Sequence, residues 1–161
     1  MQNRAELQLG SGHLTDREFV EAFEKCTLRP EHFHHADHVR LAWLYLTGLD
    51  YAAAEQRFRD GLIQLAEHFG VPEKFHLTMT LAWLRAVQVR IVPGAESSFE
   101  DWIAGHPELL ERERLLDYYS KERLADPEAR VSWLEPDRRA LSRGSLVKRF
   151  GEGQEDLLGG C

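Results

Sequence analysis

The chain has 161 residues, of which 43% are hydrophobic and 29% are charged, a balance typical of one folded domain rather than of a disordered chain. Lys and Arg number 20 against 27 Asp and Glu, so the formal net charge is −7. Because binding to a phosphate backbone requires clustered positive charge, we expect no nucleic-acid partner.

The sequence also lacks the signals of membrane insertion and of export. No apolar run reaches the ~18 residues that span a bilayer, and the first residues lack the apolar core of a secretory signal. Cys26 and Cys161 are too few for a disulfide framework or a zinc ribbon. We therefore expect a cytoplasmic protein with no membrane partner.

Four helices are predicted in the first half of the chain. Thr15 and Glu18 have the spacing of a capping box, and the helix behind them continues to about Leu28, because Arg29-Pro30 disfavours further helix. Apolar residues at helical spacing predict three further helices, over about 34–46, 51–69 and 73–91.

The second half predicts one more long helix and several short ones. Ser98, or Ser97, can cap a short helix over 99–104. Pro107 suits the first turn of a fifth long helix over about 107–124. Two further short helices are predicted, over 127–133 and 136–143.

These elements predict an all-α fold, because alternating apolar and polar residues never persist long enough to indicate a strand. We expect a single-domain antiparallel helical bundle of about five main helices with an irregular C-terminal extension. The bundle domain covers 14–141, between a flexible N-terminal arm over 1–13 and a flexible C-terminal tail over 142–161. The fourth helix is apolar almost all round, which fits burial in a monomer or in the seam of a homodimer.

Histidines are concentrated in one part of the sequence, since six of the eight fall between positions 32 and 76. His34 and His38 are four residues apart and share a helical face, and His76 precedes the apolar part of the fourth helix. A His-x-x-x-His pair on a helix commonly gives two imidazole ligands to a metal ion.

The expected topology brings these histidines together. The second and fourth helices of an antiparallel bundle are parallel, so their N-terminal ends lie at the same end of the bundle. We therefore predict that His34, His38 and His76 hold a divalent metal ion. Positive partial charge at a helix N-terminus favours neutral imidazole, which is the form that binds metal. Zinc, iron and copper all accept imidazole, so the identity of the metal stays open.

Three further residues are candidates for catalysis at this end of the bundle. Asp37 or Asp117 would act as a base, or would orient a ligating histidine. Tyr119, or its neighbour Tyr118, would take part in oxidative chemistry. The predicted function is a small metal-dependent enzyme that acts on a small molecule, hydrolytic with zinc and oxidative with iron or copper.

Two other interpretations stay open. The chain can be a non-catalytic protein that binds a metal or a small molecule, or a bundle whose polar cluster only satisfies buried groups. Histidines at helix starts often cap, and Asp37 can be a carboxylate stabilised by the helix dipole. The basic segment 138–149 could contact an anionic partner, although a solvated surface is the simpler interpretation.

The strings FHHADHVRLAWLYL (33–46) and FHLTMTLAW (75–83) resemble those of a family of small uncharacterised bacterial all-helical proteins, over roughly residues 15–140. In that family a His-x-x-Asp-His string opens one apolar helix and an aromatic-His-Glu-Thr-x-Thr string opens another. Leu77 stands where the family tends to have Glu. The resemblance implies that the two strings form one unit, and it implies no substrate.

Overall fold

The computed structural model of the chain describes residues 10–95 and 97–141. Within these ranges it has no strand, which confirms the all-α fold, and it has more helices than the five main ones predicted. The seven α-helices are α1 (Asp16–Glu24), α2 (His35–Gly48), α3 (Tyr51–His68), α4 (Leu77–Gln88), α5 (Phe99–Ala104), α6 (Lys121–Ala125) and α7 (Pro127–Val131). Four 3-10 segments cover Pro30–His32, Pro72–Lys74, Pro107–Leu110 and Arg112–Asp117.

Short polar side chains start the helices where the sequence predicts. Thr15 and Glu18 form the complete capping box of α1, in which each backbone N–H donates to the other side chain. The side chain of Asp50 accepts from the N–H of Ala53 at the start of α3. Ser98 caps α5 in the same way. These bonds satisfy backbone donors that have no partner inside their helix.

Helix α1 is shorter than predicted, because Cys26 rather than Pro30 ends it. Cys26 has a φ of 57°, a left-handed conformation that costs most residues about 1–2 kcal/mol. The backbone N–H of Thr27 then donates to the carbonyl of Ala22 at 2.9 Å, which closes the end of the helix.

Helix α4 lies at the centre of the domain, as its apolar sequence predicts. It packs against α2, α3, α7 and the 3-10 segment Arg112–Asp117. Its first turn begins later than predicted, because Pro72–Lys74 forms a separate 3-10 segment before it. None of the helices in the described ranges has the length and apolar character needed to cross a membrane.

The long helix predicted over 107–124 is wrong. Two 3-10 segments separated by extended backbone at Glu111 take its place, and α6 begins only at Lys121. Leu109 and Leu115 are both buried, yet residues six apart in an α-helix differ by about 240° around its axis. Three residues per turn allow both side chains to reach the core.

The helix predicted over 136–143 is also absent from its described part, residues 136–141. Hydrogen bonds to other parts of the fold hold residues 132–137 in an irregular path. Asp137 accepts from the N–H and the hydroxyl of Ser120. The backbone of Ser132 and of Leu134 bonds to Thr78 on α4, which also ends α7 earlier than predicted.

The predicted flexible segments lie mostly outside the described residues. This holds for residues 1–9 of the N-terminal arm and for the whole tail over 142–161. The described part of the arm forms a turn in which Ser11 is fully buried. A Cβ at Gly10 would lie 2.1 Å from the carbonyl oxygen of His32, so the turn packs directly on the backbone there.

We predict opposite effects for alanine at two helical glycines. A Cβ at Gly61 in α3 would lie 2.4 Å from Cε2 of Phe23, whereas a Cβ at Gly48 would have no atom within 4 Å. Gly61→Ala should lower the free energy of unfolding by about 1–3 kcal/mol, since overpacking outweighs the gain in helix propensity. Gly48→Ala should raise it by about 0.5–1 kcal/mol. Urea denaturation measures both, and equal stabilisation by both variants would contradict the close approach of α3 to Phe23.

Candidate functional site

Asp37 is a fully buried carboxylate that fastens the N-terminal turn to α2. It accepts hydrogen bonds from the backbone N–H groups of Gly10 at 2.8 Å, Ser11 at 3.1 Å and His34 at 2.8 Å. The hydroxyl of Ser11 donates to it as well. Backbone donors and a hydroxyl thus surround the predicted base, and in the part of the chain that the structure describes no imidazole bonds to it.

Arg40 completes this buried cluster one turn further along α2. Its guanidinium donates to the carbonyl oxygens of Ser11 and Leu14 at 3.1 and 2.9 Å, and it forms an ion pair with Asp16. The guanidinium also lies 4.6 Å from the ring centroid of Phe19. These contacts join the N-terminal turn, α1 and α2, so the role of Arg40 is structural.

His34 and His38 lie at the start of α2, as predicted. His34 is exposed. His38 is half-buried, its ring centroid 4.2 Å from that of Phe33, and its Nδ1 bonds to the carbonyl of His34 at 3.1 Å. A carbonyl only accepts, so this Nδ1 carries the proton. Burial lowers the pKa of His38 from 6.5 to about 4.

His76 is engaged at both ring nitrogens. Its Nδ1 accepts from the N–H of Met79 at 3.2 Å and caps α4. Its Nε2 lies 2.9 Å from the carbonyl oxygen of Leu124, to which it must donate, because a carbonyl cannot. A metal ion would therefore have to displace one of these two bonds.

The three predicted metal ligands point to different surroundings. At the start of α2, His35 contacts Trp83 with ring centroids 4.5 Å apart. Trp83 lies seven residues after His76, about 10 Å further along α4. The start of α2 therefore lies beside the middle of α4 rather than beside its first turn, where His76 is located. Among the residues that the structure describes, no three His, Cys, Asp or Glu side chains are grouped so that they could hold a metal ion. The metal centre, with zinc, iron or copper, stays a prediction.

Tyr118 and Tyr119 have different surroundings. Tyr119 is fully buried, and its hydroxyl donates to the carbonyl of Leu134 at 2.8 Å. Burial raises the pKa of this phenol above its usual value. Tyr118 instead lines a cavity, together with Asp117. The tyrosine nearer to a candidate ligand site is therefore Tyr118, whereas the sequence favoured Tyr119.

This cavity of about 140 Å³ lies between the C-terminal half of α4 and the two 3-10 segments that follow Pro107. A water molecule requires about 10–15 Å³ measured in this way, so the space holds on the order of ten water-sized groups. Its walls combine two aromatic rings, three aliphatic side chains, three arginines and two carboxylates: Trp83, Ala86, Arg90, Glu108, Leu109, Arg114, Leu115, Asp117, Tyr118 and Arg139.

Arg90 is the most constrained charged group in this cavity. Its side chain is 19% exposed. Its Nε donates to Glu108 at 2.9 Å, its Nη1 to the carbonyl of Ala86 at 2.7 Å and its Nη2 to the hydroxyl of Tyr118 at 3.4 Å. A guanidinium has five N–H donors, so two of them are not used by these bonds. A fixed guanidinium with donors to spare is suited to a carboxylate.

The chain after α7 also contributes to the wall of the cavity. The N–H of Arg138 donates to the carbonyl of Tyr118 at 2.9 Å. The guanidinium of Arg139 lies 5.7 Å from the ring centroid of Tyr118, which is within the range of cation–π attraction. Sequence reasoning noted the basic segment that contains Arg139 but could not bring it to Arg90, which is distant in the chain.

Comparisons with known proteins do not supply a function. No family model matches the chain, and no curated protein and no solved structure matches it either. The resemblance of the two histidine-containing strings to a bacterial family therefore stays a prediction. The residues themselves must supply the functional hypothesis.

We predict that His76 stabilises the fold independently of metal. His76→Ala should lower the free energy of unfolding by about 2–3 kcal/mol, since the cap of α4 and the bond to Leu124 are both lost. His76→Asn should lower the free energy of unfolding by less, because an asparagine side chain can still cap α4. Thermal unfolding in EDTA and in one equivalent of zinc should give the same loss. A zinc-dependent rise in Tm that His34→Ala and His76→Ala both abolish would instead support the metal centre.

We predict that His38 makes the fold sensitive to acid. Its pKa is lower in the folded protein, about 4, than its ordinary value of 6.5, so protonation favours the unfolded chain. The contribution of neutral His38 is complete above about pH 6.5 and is lost as the pH falls towards 4. Burial also lowers the pKa of His35 and of His106.

The test compares urea midpoints of the wild type and His38→Gln at pH 7 and pH 4.5. The variant should lose less stability than the wild type on acidification. Part of the pH dependence of stability should remain in the variant, because His35 and His106 also have lowered pKa values. His32→Gln, which removes an exposed imidazole, serves as the control. An unchanged pH dependence in His38→Gln would contradict the assignment.

Proposed function

We propose that the chain is a small-molecule-binding protein whose cavity beside α4 binds the carboxylate group of a small organic acid. The observation that carries this proposal is the position of Arg90. Its guanidinium is mostly buried at the wall of the cavity and is fixed by three hydrogen bonds. These bonds use three of its five N–H donors and leave two for a ligand. Such a group can receive an anion with little loss of side-chain entropy.

Tyr118 adds a second donor to the same wall. Its hydroxyl oxygen accepts from Arg90, so its own proton is free to point towards a ligand. Hydrogen bonds to a charged acceptor are shorter and stronger than neutral ones. A carboxylate next to Arg90 and Tyr118 would therefore meet donors from two side chains that already bond to each other.

The remaining walls favour an apolar part in the ligand. Ala86, Leu109 and Leu115 are buried aliphatic residues, and Trp83 adds an indole ring. Small-molecule sites commonly combine apolar walls with a few polar groups that fix the orientation of the ligand. At about 140 Å³, the space suits a compact metabolite rather than a polymer.

Isothermal titration with 4-methylpentanoate, a branched aliphatic monocarboxylate, tests this function. The wild type should bind the acid and should not bind the uncharged 4-methylpentanamide. Tyr118→Phe should weaken binding of the acid about ten-fold, which corresponds to the ~1.4 kcal/mol expected for one hydrogen bond to a charged group.

Tyr119→Phe is the matched control, since it removes the same atom from the neighbouring residue. It should lower the free energy of unfolding by about 1–2 kcal/mol, because the carbonyl of Leu134 loses its donor, and should leave the affinity unchanged. Equal binding of the acid and the amide, or an equal loss of affinity in both tyrosine variants, would refute a carboxylate site at Tyr118.

A further inference from the structure

The charges around the cavity are not all paired. Arg90 donates to Glu108 at 2.9 Å, and Arg114 donates to Glu111 at 2.8 Å. These two pairs account for two of the three arginines in the lining. Arg139 has no ion pair within the described residues, and Asp117 has only a longer one, to Arg114 at 3.6 Å.

Asp117 has unused acceptor capacity. Within the described ranges its one ion pair is with Arg114, whose Nη1 lies 3.6 Å from a carboxylate oxygen of Asp117, farther than in an ordinary hydrogen bond. That arginine already bonds to Glu111 through its Nε. A carboxylate offers about four acceptor positions, and the side chain of Asp117 is 44% exposed at the wall of the cavity. An ammonium group could therefore reach it without breaking a strong bond.

Arg139 is the positive counterpart. Its contact with the rest of the described chain is the ring face of Tyr118, with the guanidinium carbon 5.7 Å from the ring centroid. The face of an aromatic ring attracts a cation but leaves its N–H donors free. No ion pair within 4 Å joins Arg139 to Asp117 in the described part of the chain, and both side chains line the cavity.

We infer that the ligand is a zwitterion, an α-amino acid with an apolar side chain. This inference rests on the proposed function and adds an amino group to the proposed ligand. The carboxylate binds at Arg90, Tyr118 and Arg139. The ammonium group binds at Asp117, and the apolar side chain lies against Leu109, Leu115 and Trp83. The ligand carries both signs of charge, and the lining offers a partner for each.

Three probes that share one carbon skeleton separate the two charges. Leucine carries both groups, 4-methylpentanoate lacks the amino group and 3-methylbutylamine lacks the carboxylate. In titrations of the full chain, leucine should bind at least ten-fold more tightly than 4-methylpentanoate, and the amine should bind more weakly than either.

Asp117→Asn identifies the residue that binds the amino group. It should weaken leucine about ten-fold and leave the affinity for 4-methylpentanoate equal or higher, because it removes a negative charge near the carboxylate. Glu113→Gln removes the same charge from an exposed residue of the same 3-10 segment that does not line the cavity, and it should leave both affinities unchanged. Thermal unfolding of each variant confirms that it is folded.

The outcomes separate the inference from the function on which it rests. If 4-methylpentanoate binds as tightly as leucine, or if Asp117→Asn weakens both equally, the amino-acid assignment is overturned and the carboxylate site stands. If neither leucine nor 4-methylpentanoate binds to the wild type, the proposed function is overturned as well.

Discussion

The path of the chain between Leu124 and Leu134 depends on hydrogen bonds from side chains buried at the start of α4. His76 donates to the carbonyl of Leu124, and Thr78 bonds to the carbonyl of Ser132 and to the N–H of Leu134. The hydroxyl of Thr78 donates in one bond and accepts in the other, so its proton and one lone pair are paired although the residue is 0% exposed. Because unpaired polar groups are costly inside a protein, these bonds select one path for the chain after α6. That path leads to Arg139, whose guanidinium lies beside the ring of Tyr118 and lines the cavity.

The same bonds give the polar residues of the second histidine string a structural role. Sequence reasoning assigned His76 to a metal because imidazole at a helix start, repeated in two helices, is a pattern that metal sites share. The pattern is equally that of a capped helix whose first residues hold a later segment of chain. Periodicity cannot separate the two, because the partners of His76 are backbone carbonyl and amide groups, which have no signature in the sequence. Asp37 shows the same ambiguity, since its donors at Gly10 and Ser11 are backbone groups too.

Local signals predicted much of the fold correctly. The capping box at Thr15, the cap at Ser98 and the apolar stripes predicted α1 to α5 with errors at their ends, because these features depend on residues within one or two turns. The prediction failed between 107 and 124, where Pro107 suits the first turn of a helix but Leu109 and Leu115 must both reach the core. Burial of residues six apart is a tertiary requirement, and it overrode the local preference. The cavity lies where that helix is broken, so the same failure concealed Arg90, Tyr118 and Asp117 as neighbours.

The acidic net charge of the chain does not conflict with a site for a carboxylate. A net charge of −7 describes the field at a distance, and salt reduces that field beyond about 8–10 Å. At the wall of the cavity the balance is local. Glu108 accepts from Arg90, and Glu111, which is not part of the wall, accepts from Arg114, while both arginines keep further N–H donors. Long-range attraction would therefore contribute little to binding, and a ligand without net charge loses nothing by its absence. Recognition in the proposed site depends on whether the ligand reaches the donors of Arg90 and Tyr118 and the carboxylate of Asp117 at the same time, which is a property of the fold rather than of the composition.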